Sequence, residues 1–176
     1  MANIGTIYRA PKAASLANPT TAATFVQSDD SAKAAAVYFP VLDSGIKLAR
    51  FHFRAAGRAT TVGAHNITPK VSYGVSVTAA SNTIIAAATA RAGATNTASW
   101  EISGDLIWNS TLKSLQGVFK AVNGSTIVLD ALAVLTAVPT SVDLTTSGLG
   151  LSVEMTIATG GAGTIGYLDE FTLEVL

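Results

Sequence analysis

A strict two-residue alternation in Leu149–Ala158 narrows the folds open to this chain. Leu149, Leu151, Val153, Met155 and Ile157 alternate with Gly150, Ser152, Glu154, Thr156 and Ala158. Successive side chains of a strand point to opposite faces, so this stretch turns one apolar face to a core and one small or polar face away from it. The pattern recurs in Val71–Thr78, where Val71, Tyr73, Val75 and Val77 share a face, and in Phe171–Val175. Ala49, Phe51, Phe53 and Ala55 form another apolar face, opposite Arg50, His52 and Arg54. Upstream, Ile46 and Leu48 fall on the polar parity, which predicts a bulge or coverage on both faces at that end. Trp100, Ile102, Gly104, Leu106 and Trp108 hold one parity and read as one long strand bending at Gly104, with a hairpin at Gly104-Asp105 as the competing reading.

Turn chemistry supplies the connections. Asn123-Gly124 lies between the runs Leu115–Val122 and Ser125–Leu129, and Asn-Gly provides the positive φ angles of a type I′ hairpin. Asp43-Ser44-Gly45 joins Ala35–Leu42 to Ile46–Ala55 in the same way. Helical periodicity is confined to a short turn at Ser31–Ala36, capped by Ser28 or Asp29, and to the Ala-rich stretch Ile84–Ala94, which reads equally as a closely packed strand. Residues 9–24 carry two prolines, little bulk and no period, and read as an extended arm lying on a surface. The expected architecture is all-β: an antiparallel, jelly-roll-like sandwich over residues 25–176, preceded by an N-terminal strand and extended arm over residues 1–24.

Composition limits what such a domain does. A chain of 176 residues suits one domain. With 0 Cys it has no disulfide framework and no thiolate metal site. Charged residues are 12% against 49% hydrophobic, which suits a surface hidden in an assembly or covered by Ala, Ser, Thr and Gly. Eleven Lys+Arg balance 11 Asp+Glu, without the basic excess or arm that phosphate neutralisation needs, so no nucleic-acid partner is expected. The N-terminus lacks the basic-then-apolar layout of a signal peptide. The apolar run Ile127–Val138 is interrupted by Asp130 and too short to cross a bilayer, so no membrane partner is expected.

Motif-like strings resolve into structural readings. Gly161-Ala-Gly-Thr-Ile-Gly166 matches the dinucleotide-binding glycine pattern, but Tyr167–Leu176 reads as a strand where that motif needs a helix, so the glycines make a flexible loop. His52 and His65 are the two histidines, in a strand and a loop, with no spacing that makes a metal site or a triad. Asp29-Asp30 reads as a turn or cap. Asp169-Glu170 are adjacent strand residues, expected on opposite faces and so not the two carboxylates of one cleft. Arg50, His52 and Arg54, with Arg58 beyond, form a basic strand face that either meets an acidic partner surface or is simply solvated. Trp100 and Trp108 share the core parity and are expected inside rather than as a sugar-stacking platform. No cofactor, no metal and no catalytic residue is expected.

The order of features in Ala98-Ser-Trp-Glu-Ile-Ser-Gly-Asp-Leu-Ile-Trp108, the Leu149–Ala158 strand and the closing Tyr167-Leu-Asp-Glu-Phe-Thr-Leu-Glu-Val-Leu176 resembles jelly-roll proteins of tailed bacteriophages, notably capsid decoration (cement) proteins. The resemblance covers roughly the C-terminal half and is a loose pattern with no transferable residue set. It implies a non-enzymatic homo-oligomer, a trimer by family habit, that is made in the host cytoplasm and binds the major capsid protein on the outside of the virion. The residues expected at intersubunit or capsid contacts are Ile4, Ile7, Tyr8 and Arg9 near the start, with Arg50, His52 and Arg54. The alternative is a carbohydrate-binding or host-recognition module of a tail or fibre, which needs an exposed aromatic platform.

Overall fold

The computed structural model describes residues 5–62, 65–93, 97–124, 128–158 and 163–176. Numbered in chain order, its strands are β1 (Ile7–Arg9), β2 (Leu16–Ala17), β3 (Ala23–Thr24), β4 (Ala36–Tyr38), β5 (Leu48–Thr60), β6 (His65–Tyr73), β7 (Thr83–Ala87), β8 (Arg91–Gly93), β9 (Thr97–Asn109), β10 (Ser114–Gly124), β11 (Val128–Leu129), β12 (Ala133–Val134), β13 (Gly150–Ala158) and β14 (Ile165–Val175). Among the described residues, one 3-10 turn spans Ala79–Ser81. An eight-stranded sheet runs β1-β14-β5-β9-β10-β11, with β12 also on β10 and β2 also on β14. A six-stranded sheet runs β3-β13-β6-β7, with β4 also on β13 and β8 also on β6. The chain changes sheet between β2 and β3, β4 and β5, β5 and β6, β8 and β9, β12 and β13, and β13 and β14. All pairings are antiparallel, and the two sheets enclose one core, so the expected all-β sandwich is the fold.

The alternating runs place the core. Phe51, Phe53, Ile102, Leu106 and Trp108 of the large sheet are buried with Ile67, Val71, Leu151, Val153, Met155 and Ile157 of the small one. Each such side chain contributes about 1.5–3 kcal/mol by leaving water. Phe39 meets Phe51 edge-on at 5.1 Å, and the Trp108 indole N–H donates to the Val142 carbonyl at 2.9 Å. The Trp-bearing run is a single strand, β9, and not a hairpin. Gly104 is needed in it for space: a Cβ there would lie 2.6 Å from the Val118 carbonyl oxygen and 2.7 Å from the Phe53 ring.

Several local expectations are corrected. The strand from Val71 ends at Tyr73, because Gly74 takes φ +124 and turns the chain, so Val75 and Val77 lie outside it. Asp43–Ile46 does turn, with Ile46 N–H on the Asp43 carbonyl, but β4 and β5 belong to different sheets and do not pair. The runs either side of Asn123-Gly124 do pair, yet Asn123 is a strand residue opposite Val128 rather than a turn residue. Its buried amide donates to the Ile67 and Thr89 carbonyls and ties the two sheets together. The Ser31–Ala36 stretch forms no helix; Asp30, not Ser28 or Asp29, caps the turn by accepting from Ala32 N–H and pairing with Lys33. Of the Ile84–Ala94 stretch, residues 84–87 are strand in β7 and 91–93 in β8, and Ala94 lies outside the described residues. The Ile46–Leu48 end of β5 shows neither a bulge against β9 nor cover on both faces, since Leu48 is exposed. Of the glycine string, Gly163 and Thr164 lead directly into β14, and Gly161 and Ala162 lie outside the described residues.

The N-terminal segment is extended, and it runs along its own sandwich. β1 and β2 both pair with β14 of the large sheet, and β3 pairs with β13 of the small one.

Candidate functional site on the outer face of the large sheet

Register, rather than sequence proximity, assembles this face. Side chains opposite in parity to the core residues project from β1, β14, β5 and β9 in rows. Ile7, Glu174, His52 and Asp105 form one row; Arg9, Thr172, Arg54 and Ser103 form the next. Then come Glu170, Ala56 and Glu101, followed by Tyr167, Arg58 and Ser99.

The cations of β5 are met by carboxylates from both neighbouring strands. Arg54 donates through Nη1 to Glu170 and through Nη2 to Glu101 at 2.8 Å. Glu101 first, with Glu170, holds this guanidinium above its ordinary pKa, against partial burial. Arg58 forks onto Asp169 at 2.7 and 2.8 Å, stacks over the Tyr167 ring at 5.2 Å, and is likewise held up by Asp169. His52 Nδ1 lies 2.8 Å from Asp105 Oδ1. The expected basic face is therefore a neutralised ladder. Of the basic side chains of β5, Arg50 alone has no carboxylate partner among the described residues.

The acidic pair Asp169-Glu170 overturns its sequence reading. A register shift between Leu168 and Glu170 bulges β14 at Asp169 and brings both carboxylates into one cleft. That cleft, of about 530 Å³, is lined by Arg54, Arg58, Glu101, Lys120 and Leu129 among others. A second depression of about 220 Å³, with His52, Asp105 and Leu132, shares Ser103 and Lys120 with it, so the two form one groove along β9. Gly57 lies at its floor over Trp100; a Cβ at Gly57 would come within 2.6 Å of the indole. Two carboxylates in one cleft resemble a glycosidase pair in kind, but each is held by a guanidinium, Asp169 by Arg58 and Glu170 by Arg54.

The other end of the same face is apolar. Ile7, Leu48, Ile107, Leu112 and Leu176 are each 42–61% exposed. Arg50 pairs with Ile107 in register and accepts the Leu176 N–H on its carbonyl, so it lies between them.

Among the residues expected at contacts, Ile7, Arg9, Arg50, His52 and Arg54 share this outer face. Tyr8 turns the opposite way, against the core, and Ile4 lies outside the described residues. Glu101, Asp105, Ile107 and Leu48 went unselected by sequence reasoning. Their signal was the off-core parity of the Trp-bearing run and of Leu48, which tells which way a side chain points but not what lies across from it. Trp100 and Trp108 are 2% and 1% exposed, so neither offers a stacking surface. His52 and His65 sit on different sheets. No group of three or more His, Cys, Asp or Glu is arranged to hold a metal ion among the described residues, and no helix there is long and apolar enough to cross a membrane.

Neither the protein-family models nor the curated proteins include a match to this chain. Among solved structures, it is similar to arcelin-5, a lectin-like defense protein from Phaseolus vulgaris, over 99% of both chains at 10% identity and a TM-score of 0.44. It is also similar to a peanut lectin solved with a 9mer peptide, over 100% of this chain and 94% of that one, at 11% identity and a TM-score of 0.36. Likeness at this level carries no functional argument.

Proposed function

We propose that this chain is a non-enzymatic structural module of a virion, a decoration-type protein whose copies associate through the apolar end of the large sheet's outer face. The observation that carries the reading is the gathering of Ile7, Leu48, Ile107, Leu112 and Leu176 at that end, in a chain with only 12% charged residues. Exposed apolar patches of this kind mark association surfaces. His52, Arg54 and Arg58 are already met by carboxylates within the sheet, whereas Arg50, between Ile107 and Leu176, would need an acceptor from the second copy. The resemblance of the C-terminal half to phage decoration proteins and the balanced charge support the same reading, with the major capsid protein as the second partner. Contact repeated over a lattice gives avidity from modest individual interfaces.

The direct test is to add the purified protein to undecorated capsids and measure co-sedimentation. Saturable binding, lost when Ile107 and Leu48 are both replaced by Asp, is expected; no binding at any concentration overturns the capsid role.

The groove favours a second reading, a carbohydrate-binding module of a tail or fibre. Its paired Arg54, Glu101 and Glu170 present donors and acceptors opposite the apolar Leu129, as a hydroxyl-rich ring requires. The burial of both tryptophans removes the usual stacking platform and ranks this reading second. Glycan-array binding that disappears on Arg54→Ala would raise it to first.

A further inference from the structure

At the apolar end of the large sheet's outer face, two opposite charges stand unpaired. Arg50 of β5 is exposed and Glu174 of β14 is half-buried. Among the described residues, no ion pair within 4.0 Å engages either of them, whereas His52, Arg54 and Arg58 beside them are all met by carboxylates. Glu174 stands across from His52 in register, so it lies diagonal to Arg50 on the neighbouring strand. Such diagonal neighbours are about 7–8 Å apart. Arg9, diagonal to Glu174 on β1, makes no ion pair with it either. On the far side of each unpaired charge is an exposed isoleucine. Ile107 of β9 is opposite Arg50, and Ile7 of β1 is opposite Glu174.

Across the four adjacent strands β9, β5, β14 and β1, the series Ile107, Arg50, Glu174, Ile7 runs apolar, positive, negative, apolar. A half-turn about an axis lying in this face, between Arg50 and Glu174, makes the series its own complement. Arg50 of one copy then falls on Glu174 of the second, Glu174 on Arg50, and each isoleucine on the other. A two-fold interface uses one patch on both subunits, in which residue i meets j and j meets i. A ring of three or more needs two different patches. Apolar contact without this register would bury Arg50 with no acceptor, which is costly.

We infer that copies of this chain form a two-fold dimer through this face, set in register by two reciprocal Arg50–Glu174 ion pairs between Ile107 and Ile7. This pairing rests on the self-association proposed above and adds its symmetry and its register. The likeness to phage decoration proteins implies a trimer; a patch that carries both halves of its own complement yields a dimer.

The test mixes two charge-reversal variants of the full chain, Arg50→Glu and Glu174→Arg, and follows association by sedimentation equilibrium. Each variant alone sets like charges against each other twice per dimer. Its association should weaken at least about tenfold, with the protomer's melting temperature nearly unchanged. In an equal mixture, one variant supplies two carboxylates and the other two guanidiniums, and the mixed dimer should form about as tightly as the natural one. An ion pair within one chain cannot produce that rescue. A natural protein that stays monomeric overturns the self-association and this pairing together. A natural trimer, single variants that associate as tightly as the natural chain, or a mixture that associates no better than its parts overturns the pairing alone. Should Glu174→Arg fail to fold, a cycle of Arg50→Ala and Glu174→Gln takes its place. The double variant should then lose no more affinity than either single one, and losses that merely add overturn the pairing.

Discussion

The two sheets turn similar alternating patterns outward and put them to different uses. On the large sheet the outward residues of β5, β9 and β14 stay accessible, their charges paired from strand to strand around a groove with an apolar end beside it. On the small sheet the outward residues Ser72 of β6 and Ser152 and Glu154 of β13 are buried, with Thr24 of β3 beside Glu154 and the Asn82 side chain reaching it. Parity dictates which side chains leave the core; whether they reach water is decided by a connection elsewhere in the chain. The open face is therefore free to meet partners, and the covered stretch is not.

Substitutions probe this contrast in decreasing order of effect. Trp108→Ala removes a side chain from the core that carries both faces, and should cost about 3–5 kcal/mol in denaturant unfolding. A much smaller loss would mean that the layer between the sheets is not close-packed. Gly150→Ala acts on the covered face alone. Its Cβ would lie 2.4 Å from the Val37 carbonyl oxygen and 3.0 Å from Val75, so a loss of about 1–3 kcal/mol is expected, while Ser99→Thr on the open face should stay within about 0.5 kcal/mol. Equal effects at the two positions would erase the distinction between covered and open.

Smaller effects follow from the charges. Asp130 accepts from Thr89 N–H and from Arg91, clasping the β7–β8 connection to the chain leaving β11. Burial alone would push its carboxyl up, but these hydrogen bonds outweigh it and hold the pKa below the usual value. The folded pKa is thus depressed. The stabilisation is present above about pH 4 and is lost as the pH falls through the folded value. Asp130→Asn should cost about 1 kcal/mol at pH 7, and the difference should vanish in acid, as followed by melting against pH. Arg54→Ala should cost less than Asp130→Asn, under about 1 kcal/mol, because the pairs it breaks are more than a third exposed.

Much of the sandwich is legible in the chain itself. The alternation in Leu149–Ala158, in the Trp-bearing run and in Phe171–Val175 assigns core and outer faces correctly, because a half-buried strand has to alternate. The site is legible only in part. Arg50, His52 and Arg54 are visible as a row, but the carboxylates that meet His52 and Arg54 come from strands 47 to 116 residues away, and nothing local announces them. Asp169 and Glu170 mislead because a bulge breaks the parity rule at the place where it matters. Asn123 misleads because Asn-Gly is strong turn chemistry, whereas here the asparagine side chain serves as a strut between sheets. Glu154 looks like an ordinary solvated position until the fold brings Asn82 over it.

The claim that the open face joins copies of this chain is tested most directly by sedimentation equilibrium of the natural protein beside the Leu48→Asp, Ile107→Asp double variant. The account predicts a discrete oligomer for the first and at least a tenfold weaker association for the second, with the protomer's melting temperature nearly unchanged. A natural protein that remains monomeric at every concentration, or a double variant that associates as tightly, would contradict it.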